Sequence, residues 1–215
     1  RKEDAPLCAD LNDILREARY IGNIASTLLP ALRKAQVESS FEPAAPAEVL
    51  AETVHVLGPV AGAQGVTLHW QSAETPRVNL PPHIVDEVAR ALVSNAIQAL
   101  GPAGGGNVWI RLHPFAPGKA MVRLEIEDDG PGVPEALRPH IFEPFVSARG
   151  GKQRSGLGLF IVASLLSIYE GEVNYEPAQG GGARFTVEMP RARFTKEEPY
   201  HWFTAGEPDE PAALP

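Results

Sequence analysis

Two short glycine-bearing segments leave this chain few folds to choose from. Asp128-Asp129-Gly130-Pro131-Gly132 follows an apolar strand, Val122-Arg123-Leu124-Glu125-Ile126, and Gly156-Leu157-Gly158-Leu159 opens a helix further on. A carboxylate that ends an apolar strand lies at the bottom of a pocket, placed to accept a hydrogen bond from whatever enters. Gly130 and Gly132 flank Pro131, and we expect both to take positive dihedrals so that the backbone can turn and approach a ligand closely. The free amides and dipole at the helix start marked by Gly156 and Gly158 suit phosphate oxygens. A third segment, Ser94-Asn95-Ala96, sits within a long helix, with Asn95 on the face that carries Leu92, Ala96 and Ala99.

The pattern around these segments mixes helices with strands. Residues 46–63 read as a helix closed by Gly65, residues 66–70 and 77–80 as two strands, and Pro81 and Pro82 open a helix that runs to Leu100. Glycines 104–106 make a turn. Residues 108–113 and 121–127 alternate apolar and polar side chains as antiparallel partners joined by a turn at 114–118. Residues 155–169 form a helix, and 171–175 and 183–189 are closing strands. Helices over one face of such a sheet make an α/β two-layer sandwich on a mixed, mostly antiparallel sheet. Ahead of it, Leu11, Ile14, Ala18, Ile21, Ala25, Leu28 and Leu32 alternate by three and four. That is the seam of a long helix that wants a partner, with Pro30 bending its end. The expected organisation is a helical preface at 1–39, a main domain at 40–190 and a Pro- and Glu-rich tail at 191–215.

Composition narrows the partners. Acidic residues outnumber basic ones by 27 to 19, a formal charge of -8, and no basic patch appears, so no nucleic-acid partner is expected. No apolar run approaches the roughly 20 residues needed to span a bilayer, so this segment is expected to make no membrane contact. The single cysteine, Cys8, can form neither an internal disulfide nor a metal cluster, which fits a reducing, cytoplasmic setting.

In their order, the three segments resemble the ATPase superfamily that includes histidine kinases, DNA gyrase, heat-shock chaperone ATPases and mismatch-repair ATPases, over residues 41–190. The resemblance implies a Bergerat-type ATP-binding fold that takes ATP or ADP with Mg²⁺. Asp128 would accept a hydrogen bond from the adenine amino group, which selects against guanine. Asn95 would hold Mg²⁺ through its side-chain oxygen, although the place four residues earlier, often a second asparagine or a glutamate, is Ala91 here. Ala99, Gly130, Gly132, Ser155, Gly156, Leu157, Gly158 and Thr186 would complete the nucleotide site. Residues 146–155 resemble the mobile lid over the phosphates. Arg149 and Lys152 would act on the terminal phosphate, and Arg154 stands where many relatives have a glycine.

Ahead of that loop, Phe142-Glu143-Pro144-Phe145 resembles the phenylalanine box of histidine kinases, and residues 15–29 resemble the second helix of their dimerisation hairpin. None of His55, His69, His83, His113, His140 and His201 lies in that hairpin pattern, so the phosphoacceptor is expected upstream of Arg1. The implied activity is an autokinase that forms homodimers through the hairpin and later serves a response-regulator receiver domain. Two other readings stay open: an anti-sigma-factor-type serine kinase, against which the heptad seam argues, and a degenerate nucleotide-binding adaptor, for which Ala91 is the best support.

Overall fold

A computed structural model describes residues 41–114, 120–147 and 156–192. The expected leading helix, nearly all of the tail, and Arg149, Lys152, Arg154 and Ser155 lie outside these residues. Helix α1 (Pro46–Gly62) leads into β1 (Val66–Ser72), and α2 (Pro82–Leu100) follows, opened by a proline whose missing N–H costs nothing in a first turn. Strands β2 (Gly106–His113) and β3 (Met121–Asp128), helix α3 (Gly158–Ile168), and strands β4 (Glu172–Pro177) and β5 (Ala183–Pro190) complete the chain.

The five strands form one sheet in the order β1-β2-β3-β5-β4. β1 pairs with β2 in parallel, and the other three pairings are antiparallel. β1 and β2 can run parallel because the connection between them is a crossover, which α2 supplies. Alternation then decides the layers. Val108, Ile110 and Leu112 of β2, Val122, Leu124 and Ile126 of β3, and Phe185, Val187 and Met189 of β5 are all buried, and α2 adds Val85, Val88, Leu92, Val93 and Ile97 to the same core. Each fully buried side chain of this size contributes about 1.5–3 kcal/mol over leaving it in water.

The opposite face is polar and held by ions. Glu127 accepts from Arg111 and Arg184 at 3.0 Å each, and Arg123 donates to Glu188 at 2.9 Å. Desolvation alone would raise the Glu127 carboxyl, but the two guanidinium groups outweigh it and hold it below the usual range.

Several boundaries differ from expectation, among them β2, which begins at Gly106 within the expected glycine turn. The strand expected at 77–80 is a single residue, Val78, bridged to Ala44 on one side and Arg191 on the other. Pro43, Pro46 and Pro76 lack the N–H groups that would extend that pairing. Arg191 and Ala192, assigned to the tail, belong to the fold: their amides donate to Ala120 O at 3.2 Å and Arg77 O at 2.9 Å. Helix α3 starts at Gly158 rather than at 155. Two short elements were not foreseen, the 3-10 helices Gly101–Ala103 and Glu135–His140, the latter kept from becoming an α-helix by Pro139 within it.

Candidate functional site

Asp128 is the last residue of β3, on the buried face, and is 4% exposed. Its Oδ1 accepts from the amides of Gly130 at 3.0 Å and Ala183 at 3.3 Å, so two backbone donors orient the carboxylate. The approach of β5 depends on Gly182. With φ at +91°, a β-carbon there would lie 1.8 Å from the Asp128 carbonyl oxygen. Gly132 sits against the same turn, at φ +67° with the Gly182 carbonyl oxygen 2.7 Å from where a β-carbon would be. Gly130 departs from expectation: it is not among the positive-φ glycines, and a side chain is excluded by space, since a β-carbon would meet Asp128 Oδ1 at 2.8 Å.

Asp129 turns toward the other face of the sheet. Its Oδ1 accepts from the Asn107 amide at 2.7 Å and its Oδ2 from Asn107 Nδ2 at 2.9 Å. Burial would raise this carboxyl, but the Asn107 bonds, helped by its own backbone and by His69, hold it below the usual range.

Asn95, on α2, faces the start of α3: a β-carbon on Gly158 would stand 3.9 Å from Asn95 Nδ2. The amide side chain therefore meets the end of α3 where free N–H groups point outward. A cleft of about 740 Å³ joins these pieces. Asn95 and Ala99 line one wall, Asp128, Ala183 and Phe185 the floor, and Gly132, Val133, Leu137 and Arg138 the far wall, with Gly156 and Gly158 at the mouth of α3. Ala91, one turn before Asn95, packs against the core and leaves that turn apolar.

The loop that carries the basic residues starts and ends at neighbouring points. The Phe145 amide donates to Gly156 O at 2.9 Å. Gly156 has φ +63°, and a β-carbon on it would come within 2.5 Å of the Phe145 carbonyl carbon, so only glycine fits there. Phe145 itself sits at φ +71°, a conformation that costs a non-glycine residue about 1–3 kcal/mol and is kept where its surroundings demand it. Phe142 packs against the core beside it.

Of the expected site residues, the fold brings Asn95, Ala99, Asp128, Gly132, Gly156 and Gly158 to one cleft. Gly130 and Leu157 shape it from behind, Leu157 being buried. Thr186 does not belong: it alternates with the cleft-lining Phe185 along β5 and so lies on the ion-paired face, in register with Glu125 and Asn174. Ala183 takes the place intended for it. Gly182, Ala183 and Arg138 were missed. The run of three glycines at 180–182 directly before a strand was the available signal for the first two, whereas Arg138 carried none.

Comparison with known proteins adds the family. The sequence profile described as Histidine kinase-, DNA gyrase B-, and HSP90-like ATPase matches residues 82–193. The chain is 33% identical over 146 residues to the C4-dicarboxylate transport sensor protein DctS of Rhodobacter capsulatus, covering 66% of this chain and 22% of that protein. It is 35% identical over 123 residues to the sensory histidine kinase/phosphatase NtrB of Klebsiella oxytoca, covering 54% and 34%. Among solved structures, full-length ShkA in complex with AMPPNP superposes with a TM-score of 0.65 at 25% identity, covering 86% of this chain and 39% of that one. The catalytic domain of the histidine kinase ThkA gives 0.62 at 25% identity, covering 71% and 96%. The chain thus spans about a quarter to a third of the two curated relatives' lengths.

Proposed function

Because the chain belongs to the family of histidine kinase-, DNA gyrase B- and HSP90-like ATPases, we propose that it is the ATP-binding catalytic region of a sensor histidine kinase, passing the γ-phosphate of ATP to a histidine. The observation that carries this reading is the convergence of Asp128, Asn95 and the start of α3 on one cleft. A buried carboxylate at its floor suits the adenine amino group, and the amides of α3 at its mouth suit phosphates. The paired Phe142 and Phe145, the latter tied to Gly156, favour the histidine-kinase branch.

Mg²⁺ fits the donor set. Among the described residues no cluster of three His, Cys, Asp or Glu side chains could hold a metal alone, and Mg²⁺ ordinarily takes one or two protein oxygens together with substrate phosphates and water. Asn95 Oδ1 would be that protein oxygen. When bound, the ion would neutralise phosphate charge.

The chain's own task is positioning. Asp128 fixes the base, the α3 amides hold the phosphate tail, and Arg149 and Lys152 are the cations proposed for the terminal phosphate. An imidazole nitrogen then bonds to the γ-phosphorus as the bond to the bridging oxygen breaks, and ADP leaves with that electron pair. A response-regulator aspartate is the proposed later acceptor, a paired hairpin helix the proposed dimer contact, and the cytoplasm the proposed location. No helix among the described residues is long and apolar enough to cross a membrane.

The test incubates the chain with γ-labelled ATP and Mg²⁺, alone and with a histidine-bearing dimerisation hairpin. Acid-labile, base-stable label is expected on the hairpin only. Strong labelling of the chain alone would place the acceptor among its own six histidines, and failure to bind ATP would overturn the reading altogether.

A further inference from the structure

Three side chains on the open face of the sheet make a continuous ladder from its edge to the nucleotide floor. Asn107 stands at the start of β2, between His69 of β1 and Asp129, the residue directly after β3. Its Nδ2 donates to Asp129 Oδ2 at 2.9 Å, and its backbone amide donates to Asp129 Oδ1 at 2.7 Å. The Asp129 amide returns a bond to the Asn107 carbonyl at 3.3 Å. With Nδ2 committed to Asp129, Asn107 Oδ1 is the acceptor toward His69, so His69 Nε2, 2.9 Å away, carries the hydrogen. The His69 ring in turn stacks on Trp109, centroids 5.6 Å apart and planes 15° apart. Gly106 makes room for the clasp: a β-carbon there would fall 2.5 Å from Asp129 Oδ1.

Asp129 follows Asp128 directly in the chain, so whatever fixes Asp129 fixes the backbone from which the Asp128 carboxylate enters the cleft, and with it where the Gly130 and Ala183 amides meet that carboxylate. We propose that Asn107 is a positioning residue for base recognition: by clasping both carboxylate oxygens of Asp129 it sets the Asp128-Asp129 peptide, and through it the orientation that tells adenine from a 6-oxo purine. This rests on the adenine-nucleotide reading of the cleft. The two bonds to the carboxylate are charge-assisted and short, so their loss is felt. Two of the three link backbone or side chain of position 107 to one carboxylate, which is why the side chain can be exchanged without removing the whole clasp.

The experiment titrates ADP and IDP by calorimetry into the full chain and three variants, with circular dichroism melting as the check on folding. Asn107→Asp sets a second carboxylate against Asp129 and should lower ADP affinity about tenfold, a loss matched to one charged hydrogen bond. IDP, which lacks the amino group, should lose less, so the ADP/IDP preference narrows. The double exchange Asn107→Asp with Asp129→Asn restores donor against acceptor across the clasp and should return ADP affinity to within about twofold of the parent. Asn107→Ala is the milder variant should the carboxylate variant not fold, and the same narrowed preference is expected of it. Folded variants that bind ADP as the parent does, or that lose ADP and IDP equally, would overturn the proposal, the latter outcome marking a purely structural role. Asp128→Asn separates the two levels: if it leaves ADP affinity unchanged, the adenine reading itself falls, and if it abolishes binding while the Asn107 variants do nothing, only the present inference falls.

Discussion

At the scale of the residue, one carbonyl oxygen determines what can stand at position 182. Gly180 and Gly182 share φ +91°, yet a β-carbon on Gly180 meets nothing within 4 Å, while one on Gly182 would lie 1.8 Å from Asp128 O. The pair therefore separates backbone strain from close approach. Gly180→Ala should cost about 1 kcal/mol of stability and leave ADP affinity unchanged, because only the left-handed dihedral is strained. Gly182→Ala should cost at least ~2 kcal/mol more and weaken ADP, because β5 must retreat and the Ala183 amide then leaves Asp128 Oδ1. Urea unfolding and ADP titration check both, and equal behaviour of the two variants would mean that the Asp128–Gly182 approach does not hold the floor in place. Residue-level reading of the sequence reached Asp128 and Asn95 because their neighbours in the chain are informative. It did not reach Asn107, whose partners come from two other strands.

At the scale of the element, the two ends of the loop that precedes α3 are tied by the bond between the Phe145 amide and the Gly156 carbonyl. Replacing Arg149, Lys152 and Arg154 together by alanine should weaken ATP more than ADP, since their proposed contact is the terminal phosphate. Equal weakening of both nucleotides would remove that contact. Each replacement alone should do little if the cation is exposed. The sequence marked this loop by its glycines and its cations. What it did not show is that Phe145 takes a left-handed backbone to reach Gly156, a geometry required by the meeting of two distant segments.

At the scale of the whole molecule, the two faces of the sheet answer to different forces, and the open face carries two carboxyls that respond to pH. Glu127 and Asp129 lie on the open face, and both carboxyls are held below their ordinary values of 4.5 and 3.8. A depressed carboxyl stabilises the fold above its unfolded value, and that contribution is lost as pH falls through the lower folded one. Urea midpoints measured from pH 7 downward should thus stay level to about pH 4.5 and then decline. A profile flat to pH 3 would show that the Arg111, Arg184 and Asn107 bonds contribute nothing net. The sequence by itself determined the elements, since period and proline placement are local properties, and it marked the segments that meet at the cleft, since Asp128, Asn95 and the glycines around α3 each have a chemical reason to stand where they do. Tertiary structure alone decided the rest: that β1 runs parallel to β2, that Val78 is a single residue bridged on both sides and not a strand, that Thr186 turns away while Ala183 meets Asp128, and that Asn107, backed by His69, comes to hold Asp129. Each of these depends on which strand lies beside which, and strand order is set by the burial of the whole core, not by the residues adjacent in the chain.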